Sequence, residues 1–173
     1  MNAMARSTSD ALLLGEWACL GILYQGPAHG FAIAARLKPD ADIGRVWSLS
    51  RALTYRSLEQ LQRRGLAEPI GEEPGIAGGN RTILAATRSG RAQFRRWIQA
   101  PVEHLRDLRS ELLLKLVLAE HTAIDLTEML HLQRARAAEL AAAFDAQPVD
   151  VDIVQMWRQE SAGAALRFLD RLV

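Results

Sequence analysis

The chain has 173 residues, of which 49% are hydrophobic and 24% are charged, and its formal net charge is +1. This apolar content is enough to bury a core, so we expect a globular protein of one or two domains. The single cysteine, Cys19, excludes an intrachain disulfide and is typical of a reducing compartment. No uninterrupted apolar stretch approaches the length of a membrane span.

The two halves of the chain differ in charge. Residues 1–98 hold thirteen Lys/Arg and eight Asp/Glu, a net charge of +5, whereas residues 99–173 hold eight and twelve, a net charge of −4. The first half could therefore lie on a polyanion, and the second could not. Segments of this length often differ by a few charges, so the asymmetry favours nucleic-acid binding without establishing it.

The N-terminal segment superficially resembles a secretory signal, because Arg6 precedes an apolar run that ends at Tyr24. Asp10 and Glu16 interrupt that run, and no small-x-small cleavage site closes it. We therefore expect no export, no binding to a membrane and a cytoplasmic location.

Two short helices are predicted first. Residues 7–10 offer several N-caps to the first helix, which Gly26 and Pro27 end. Its core-facing stripe comprises Leu13, Trp17, Leu20 and Tyr24. Pro27 can occupy the first turn of a second helix that runs to about Leu37, before Pro39. The residues expected to pack this helix are Phe31, Ile33 and Leu37.

A third helix begins after a cap at Ser48 or Ser50 and ends at Gly65. At 100° per residue, its core side comprises Thr54, Ser57, Leu58 and Leu61. The other side comprises Ala52, Tyr55, Arg56, Glu59 and Arg63. This side begins with small or basic residues and becomes acidic only a turn later, which suits a helix that enters a groove by its N-terminus.

Two short strands follow, Ala67 to Glu72 and Arg81 to Ala86, joined by a glycine-rich loop. Thr87 to Gly90 then cap a fourth helix, and Pro101 closes the domain. The predicted fold is mostly α with a small β part (α+β): an N-terminal winged helix-turn-helix domain with a two-stranded β wing in residues 1–99. An all-α dimerisation domain follows in residues 100–173.

Three helices are predicted in the second half, beginning after Ser110, at a capping box of Asp125 with Glu128, and at Asp150 or Asp152. Gln133 lies in a short heptad seam of the middle helix, and the last helix has a similar apolar stripe. The predicted dimerisation residues are Leu126, Leu130, Ala137, Leu140, Phe144, Trp157, Ala164 and Phe168. The alternative is that these faces pack within the chain. We favour a homodimer, because helix-turn-helix proteins usually bind two half-sites.

A helix-turn-helix with a hairpin attached fits double-stranded DNA, because the major groove admits one α-helix. We hypothesise that Ser48 and Ser50 position a phosphate, and that Arg51 and Arg56 reach base edges or backbone. Tyr55 would pack or hydrogen-bond at the groove edge. In the wing, Asn80 and Arg81 would contact the adjacent minor groove or phosphates. The alternative is that the arginines form only a solvated helix face.

The first domain resembles the PadR family of winged-helix transcriptional regulators. The matching segments are residues 20–24, 26–31, 55–61 and 64–66, Arg81, and Thr87-x-x-Gly90; in the second half they are residues 109–116 and 157–161. The resemblance implies a dimeric, repressor-like protein that binds an inverted repeat and responds to a small molecule or a stress signal. The chain has Ala52 where the family often has glycine.

Other classes of function are less favoured. An enzyme would need a convergent set of catalytic groups, and the four histidines lack the spacing of a helical metal pair, so we expect no catalysis, metal or cofactor. A winged helix that docks proteins without binding DNA stays open. A small aromatic effector could stack in an apolar cleft between the domains, lined by Trp17, Trp47, Trp97 and Trp157. The alternative is that tryptophans at helical spacing belong to the core, which we favour for Trp17 and Trp97.

Overall fold

The computed structural model describes residues 11–75, 79–146 and 152–173. The chain separates into two compact units, Met1–Phe94 and Arg95–Val173. The division falls inside the fourth helix, slightly before the boundary predicted at residues 99 and 100. The predicted architecture, a winged helix followed by an all-helical segment, is confirmed.

The first unit contains the three-helix core and the wing. Its elements are α1 (Leu14–Gln25), β1 (Ala28–His29), α2 (Gly30–Arg36), α3 (Arg51–Arg63), β2 (Ala67–Pro74), β3 (Asn80–Ala86) and the start of α4 (Arg88–Ile98).

The wing belongs to a three-stranded antiparallel sheet rather than a two-stranded one. The strand order is β1-β3-β2, and β1 pairs through Ala28 with Leu84 and through His29 with Ile83. Two residues are too few to show the alternation that marks a strand in sequence, so β1 was missed. It ties the start of α2 to the wing.

Helix α1 is buried on every side from Gly15 to Tyr24, so its core contact is wider than the predicted stripe. Leu13 is 71% exposed, and its predicted place in the core is wrong. It precedes the helix as the N-cap residue, and its backbone N–H donates to Glu16 Oε2 at 2.9 Å. The caps predicted at residues 7–10 lie outside the described residues.

Helix α2 begins at Gly30 rather than Pro27, because β1 takes the two intervening residues. Ile33 and Leu37 are fully buried as predicted, but Phe31 is 47% exposed. The predicted packing role of Phe31 is therefore wrong.

Helix α3 agrees closely with the prediction. Ser50 is its N-cap, and its Oγ accepts from the Leu53 N–H at 3.2 Å. Thr54, Leu58 and Leu61 are buried, and the helix packs against α1 and α2. Gly65 follows it with φ of +66°, a left-handed conformation that favours glycine.

The Thr87-x-x-Gly90 turn joins the wing to α4. Thr87 Oγ1 accepts from the Gly90 N–H at 3.0 Å and donates to the Gly65 carbonyl at 2.7 Å. A Cβ at Gly90 would lie 2.1 Å from the carbonyl oxygen of Leu66, so only glycine fits. The motif thus links the end of the wing to Gly65, which follows α3.

The second unit is helical throughout the part that the structure describes. After the end of α4 come a 3₁₀ turn (Leu105–Asp107), a π-helical turn (Leu108–Leu112), α5 (Leu113–Glu120), α6 (Thr127–Asp145) and α7 (Ile153–Leu169), and α6 packs against α7.

The predicted caps of these helices have different outcomes. Asp152 caps α7 by accepting from the N–H groups of Val154 and Gln155, which confirms that prediction. The predicted capping box of Asp125 with Glu128 is wrong: the N-cap residue of α6 is Leu126, and Asp125 Oδ1 accepts from Thr127 N and Oγ1 instead. Ser110 caps nothing, because it lies inside the π-helical turn and donates to the Asp107 carbonyl.

A buried lysine holds the chain that follows α4. Lys115 Nζ donates to the Ala100 carbonyl at 2.7 Å and pairs with Glu111 Oε1 at 2.8 Å, and the lysine side chain is 1% exposed. Trp97 lies beneath the ammonium and donates from Nε1 to the same carboxylate at 3.1 Å. Burial lowers the pKa of Lys115, and Glu111 opposes that shift.

Gln133 holds the next residues of the same segment. Its Oε1 accepts from the Val102 N–H at 2.6 Å, and its Nε2 donates to the Val102 carbonyl at 3.2 Å. The heptad seam therefore contains a buried amide whose hydrogen bonds are made to the backbone of its own chain. Residues 100–102 are thus fastened by two buried polar side chains.

We predict that Lys115→Met lowers the free energy of unfolding by about 2–4 kcal/mol, because it leaves the Glu111 carboxylate without its cation and the Ala100 carbonyl without a donor. Denaturant titration at neutral pH measures this change. Since the pKa of Lys115 is lowered in the native state, the unfolded state holds this proton to higher pH, and wild type should gain stability relative to the variant as the pH rises toward 10.5.

A matched control is Arg63→Met, which removes the cation from the exposed Arg63–Glu59 pair and should change the free energy by less than about 0.5 kcal/mol. Equal effects of the two substitutions would contradict a structural role for Lys115.

Candidate nucleic-acid interface

The starts of α2, α3 and β3 lie together on the first unit and form an exposed arginine–aromatic cluster, which comprises Phe31, Arg51, Tyr55 and Arg81. The Arg51 guanidinium lies 5.5 Å from the Phe31 ring centroid and 5.7 Å from that of Tyr55. The Arg81 guanidinium lies 5.2 Å from the Phe31 centroid. Phe31 and Tyr55 remain 47% and 44% exposed, so the cluster faces solvent.

Tyr55 is seated directly against the start of α2. A Cβ at Gly30 would lie 2.8 Å from Tyr55 Cε1 and 2.9 Å from Cζ, closer than real contacts allow. Glycine at this position therefore permits the ring to lie over the backbone. This is the physical reason for the glycine within the Gly26–Phe31 segment.

The exposed face of α3 carries the other predicted contacts. Arg51, Ala52 and Arg56 are exposed, as are Ser48 and Ser50 just before the helix. The Ser50 hydroxyl is already used as the helix cap. One turn later, Glu59 pairs with Arg63 at 2.7 Å, so the acidic group on this face is neutralised by its neighbour.

His29 links the cluster to the wing. Its Nδ1 accepts from the Ala32 N–H at 3.0 Å, which caps α2, so its proton must be on Nε2. Nε2 lies 3.0 Å from Glu73 Oε1 and donates to it, while Arg81 Nη1 lies beside it at 3.5 Å. His29 is thus the N-cap of α2, and neither this cap nor its link to Glu73 was predicted.

The two wing residues of the predicted site differ in their surroundings. Asn80 is exposed at the start of β3, and its amide donates to Glu72 Oε2 at 2.7 Å. Arg81 lies over Phe31 instead of extending from the wing. The loop between the strands, residues 76–78, lies outside the described residues. Phe31 was predicted to pack α2, so its place in this cluster was not predicted, and nothing within the Gly26–Phe31 segment indicates its exposure.

The second unit has an open apolar groove of about 1090 Å³. Its walls come from the 3₁₀ and π-helical turns, the end of α6, and α7. The predicted dimerisation residues that line it are Leu140, Phe144, Trp157, Ala164 and Phe168.

The other predicted dimerisation residues, which do not line the groove, differ in how much of their surface is exposed. Leu126 and Ala137 are 6% and 2% exposed within the chain itself, so they have little surface left for a partner and are better explained by intrachain packing. Leu130 is half-buried, whereas Trp157 is 72% exposed.

The four tryptophans are in different surroundings. Trp17 is buried, Trp47 is half-buried, and Trp97 is bonded to Glu111. Only Trp157 lines the groove of the second unit. Within the described ranges, no three His, Cys, Asp or Glu side chains are placed to hold a metal, and no helix has the length and hydropathy of a membrane span.

Several solved structures are similar to this chain. Bacillus subtilis PadR in complex with operator DNA has a TM-score of 0.48 at 15% identity, covering 91% of this chain and 96% of that one. The Vibrio cholerae virulence activator AphA has a TM-score of 0.42 at 23% identity, covering 92% and 91%. A PadR-like transcriptional regulator from Bacillus cereus has a TM-score of 0.41 at 21% identity, covering 91% and 94%.

No family model matches the sequence, and no curated protein matches it.

We predict that Gly30→Ala displaces the Tyr55 ring without unfolding the protein, because the new Cβ meets a partly exposed side chain that can rotate away. The free energy of unfolding should change by less than about 1 kcal/mol. With fluorinated tyrosine, ¹⁹F NMR should show the Tyr55 signal moving while that of Tyr24, the other tyrosine, stays in place. An unmoved Tyr55 signal would contradict the packing described.

Proposed function

We propose that this protein is a DNA-binding transcriptional regulator that binds an inverted-repeat operator as a homodimer and represses transcription. The observation that carries the proposal is the outward face of α3, where Arg51, Tyr55 and Arg56 are exposed while Thr54 and Leu58 on the opposite face are buried. These three exposed residues lie in the N-terminal half of α3.

The chemistry of this face fits the major groove. Arginine makes bidentate hydrogen bonds to guanine O6 and N7, and it also pairs with phosphates. Ala52 is small and exposed between the two arginines, so the helix start can come close to base edges. The exposed Ser48 lies just before the helix, where backbone N–H groups and the helix dipole favour a phosphate.

The wing offers a second contact with the DNA backbone. Arg81 supplies a cation beside the start of α3, since both Arg81 and Arg51 lie over the Phe31 ring. Asn80 would contact the minor groove or a phosphate by exchanging its hydrogen bond with Glu72 for one to DNA. Such contacts position a protein on the duplex rather than specify sequence.

We assign the apolar groove of the second unit to a second copy of the chain. Trp157 and Phe168 are 72% and 39% exposed at its edge, and a contiguous apolar surface of this kind on a regulator is typical of an oligomer interface. A two-fold dimer would present two copies of α3, which must be about 34–36 Å apart to enter successive major grooves.

We also propose that a small aromatic effector regulates this protein. The Trp157 indole at the groove is a surface on which a flat ring would stack. An effector that competes with the partner subunit for this groove would weaken the dimer and DNA binding together, because the two equilibria are linked.

We predict that selection from random duplexes with the purified protein recovers one palindromic site, and that an Arg51→Ala, Tyr55→Ala double variant recovers none. Binding to the selected duplex should weaken with salt along a log–log slope of about −0.9 for each phosphate contacted. Arg56→Ala should weaken binding by about 1–3 kcal/mol if this arginine reads a base, or reduce the slope by about 1 if it pairs with a phosphate.

The charge-matched control is Arg136→Ala, which removes an exposed arginine from α6 and should leave the selected site unchanged. Equal recovery by wild type and the double variant would contradict the assignment of α3. Absence of duplex binding at any ionic strength near physiological would favour the alternative, a winged helix that docks proteins.

We predict that Trp157→Glu shifts the protein from dimer to monomer in analytical ultracentrifugation, because it places a charge in an apolar interface. Phe168→Ala should weaken the dimer less, because it removes apolar area without adding a charge.

Leu132→Glu is the matched control, since Leu132 is 50% exposed on α6 and does not line the groove. A wild-type protein that sediments as a monomer at all concentrations would refute the dimer.

A further inference from the structure

We infer that Phe31 is a positioning residue whose exposed ring holds Arg51 of α3 and Arg81 of β3 together, so that the recognition helix and the wing contact DNA as one unit. The inference rests on the proposed DNA-binding function, and it adds a residue that makes no contact with DNA itself.

The geometry supports a role beyond folding. Both guanidinium groups lie within 6 Å of the Phe31 centroid, the range in which the ring quadrupole attracts a cation. Phe31 is 47% exposed, so burial stabilises its ring less than it stabilises Ile33 and Leu37 on the same segment, which are fully buried. The two guanidinium groups therefore supply contacts to the part of the ring that the core leaves uncovered.

The arrangement stores two like charges near one another. The Arg51 and Arg81 guanidinium groups lie 5.5 Å and 5.2 Å from the Phe31 centroid. Their separation is therefore at most about one Debye length, roughly 10 Å at 0.1 M salt. In the free protein the ring offsets part of their repulsion. A polyanion would offset the rest of this repulsion, so the two arginines are already positioned for phosphates in the free protein.

Preorganisation is the expected benefit. Free arginine side chains lose considerable rotamer entropy when they are ordered on a ligand, and stacking on an aromatic face restricts them beforehand. Because the two arginines come from different elements, one ring can order both. Loss of the ring should therefore weaken both contacts at once.

The test uses fluorescence anisotropy with a labelled random-sequence duplex at low salt. Phe31→Leu keeps an apolar side chain but removes the π face, whereas Phe31→Trp keeps that face. We expect Phe31→Leu to weaken binding about tenfold and Phe31→Trp to stay within about twofold of wild type. In an Arg51→Met, Arg81→Met background, Phe31→Leu should change the affinity by less than about twofold.

A second measurement in the free protein checks the positioning directly. In Phe31→Leu the Nε–H resonance of Arg81 should lose its ring-current shift, and that of Arg51 should lose the part due to Phe31, because the Tyr55 ring still lies 5.7 Å from the Arg51 guanidinium. Both shifts should be kept in Phe31→Trp, and thermal unfolding confirms that each variant is folded.

The outcomes separate the two proposals. An equal loss of affinity in both backgrounds would mean that Phe31 contacts DNA directly, and unchanged arginine resonances would mean that it positions nothing; either result overturns this inference while the proposed function stands. A wild-type protein that fails to bind the duplex at low salt would overturn the proposed function, and this inference with it.

Discussion

The burial of one face of α3 is the constraint on which the rest of the first unit depends. Thr54, Leu58 and Leu61 lie inside, and the Thr54 hydroxyl donates to the Ser50 carbonyl at 3.0 Å, so its burial leaves no unsatisfied polar group. A helix is rigid, and fixing this face directs Tyr55 and Arg56 to solvent. A rotation by one residue would expose apolar side chains and bury charged ones, which is strongly unfavourable.

Around that exposed face, local pairs determine the charge that a ligand would meet. Glu59 is held by Arg63, and Glu73 accepts from His29, so the carboxylates next to the arginine–aromatic cluster are engaged by neighbours. Arg63 offsets the charge of Glu59, whereas the hydrogen bond from His29 orients the Glu73 carboxylate without cancelling its charge. The arginines stacked on Phe31 keep their full positive charge because an aromatic ring carries no net charge.

The second unit buries two polar side chains and exposes a tryptophan. Lys115 and Gln133 are buried, and their polar atoms are satisfied by backbone groups of residues 100–102 and by Glu111. Trp157, in contrast, is largely exposed at the edge of an apolar groove. Buried polar groups whose hydrogen bonds are all made favour a single arrangement of residues 100–102. An exposed tryptophan, in contrast, still has apolar surface that a partner can bury. The packing around Lys115 and Gln133 is therefore satisfied within one chain, whereas we assign the groove at Trp157 to a second copy.

Helix α3, the wing and the caps at Ser50 and Asp152 could be predicted from the sequence, because each depends on periodicity or on a hydrogen bond spanning a few residues. The sequence did not determine β1, which exists only because β3 offers a neighbouring edge, nor the buried place of Lys115. The exposure of Phe31 likewise depends on where two distant arginines arrive. Such features are decided by tertiary structure, because they require residues far apart in the chain to meet, and no local pattern records that meeting.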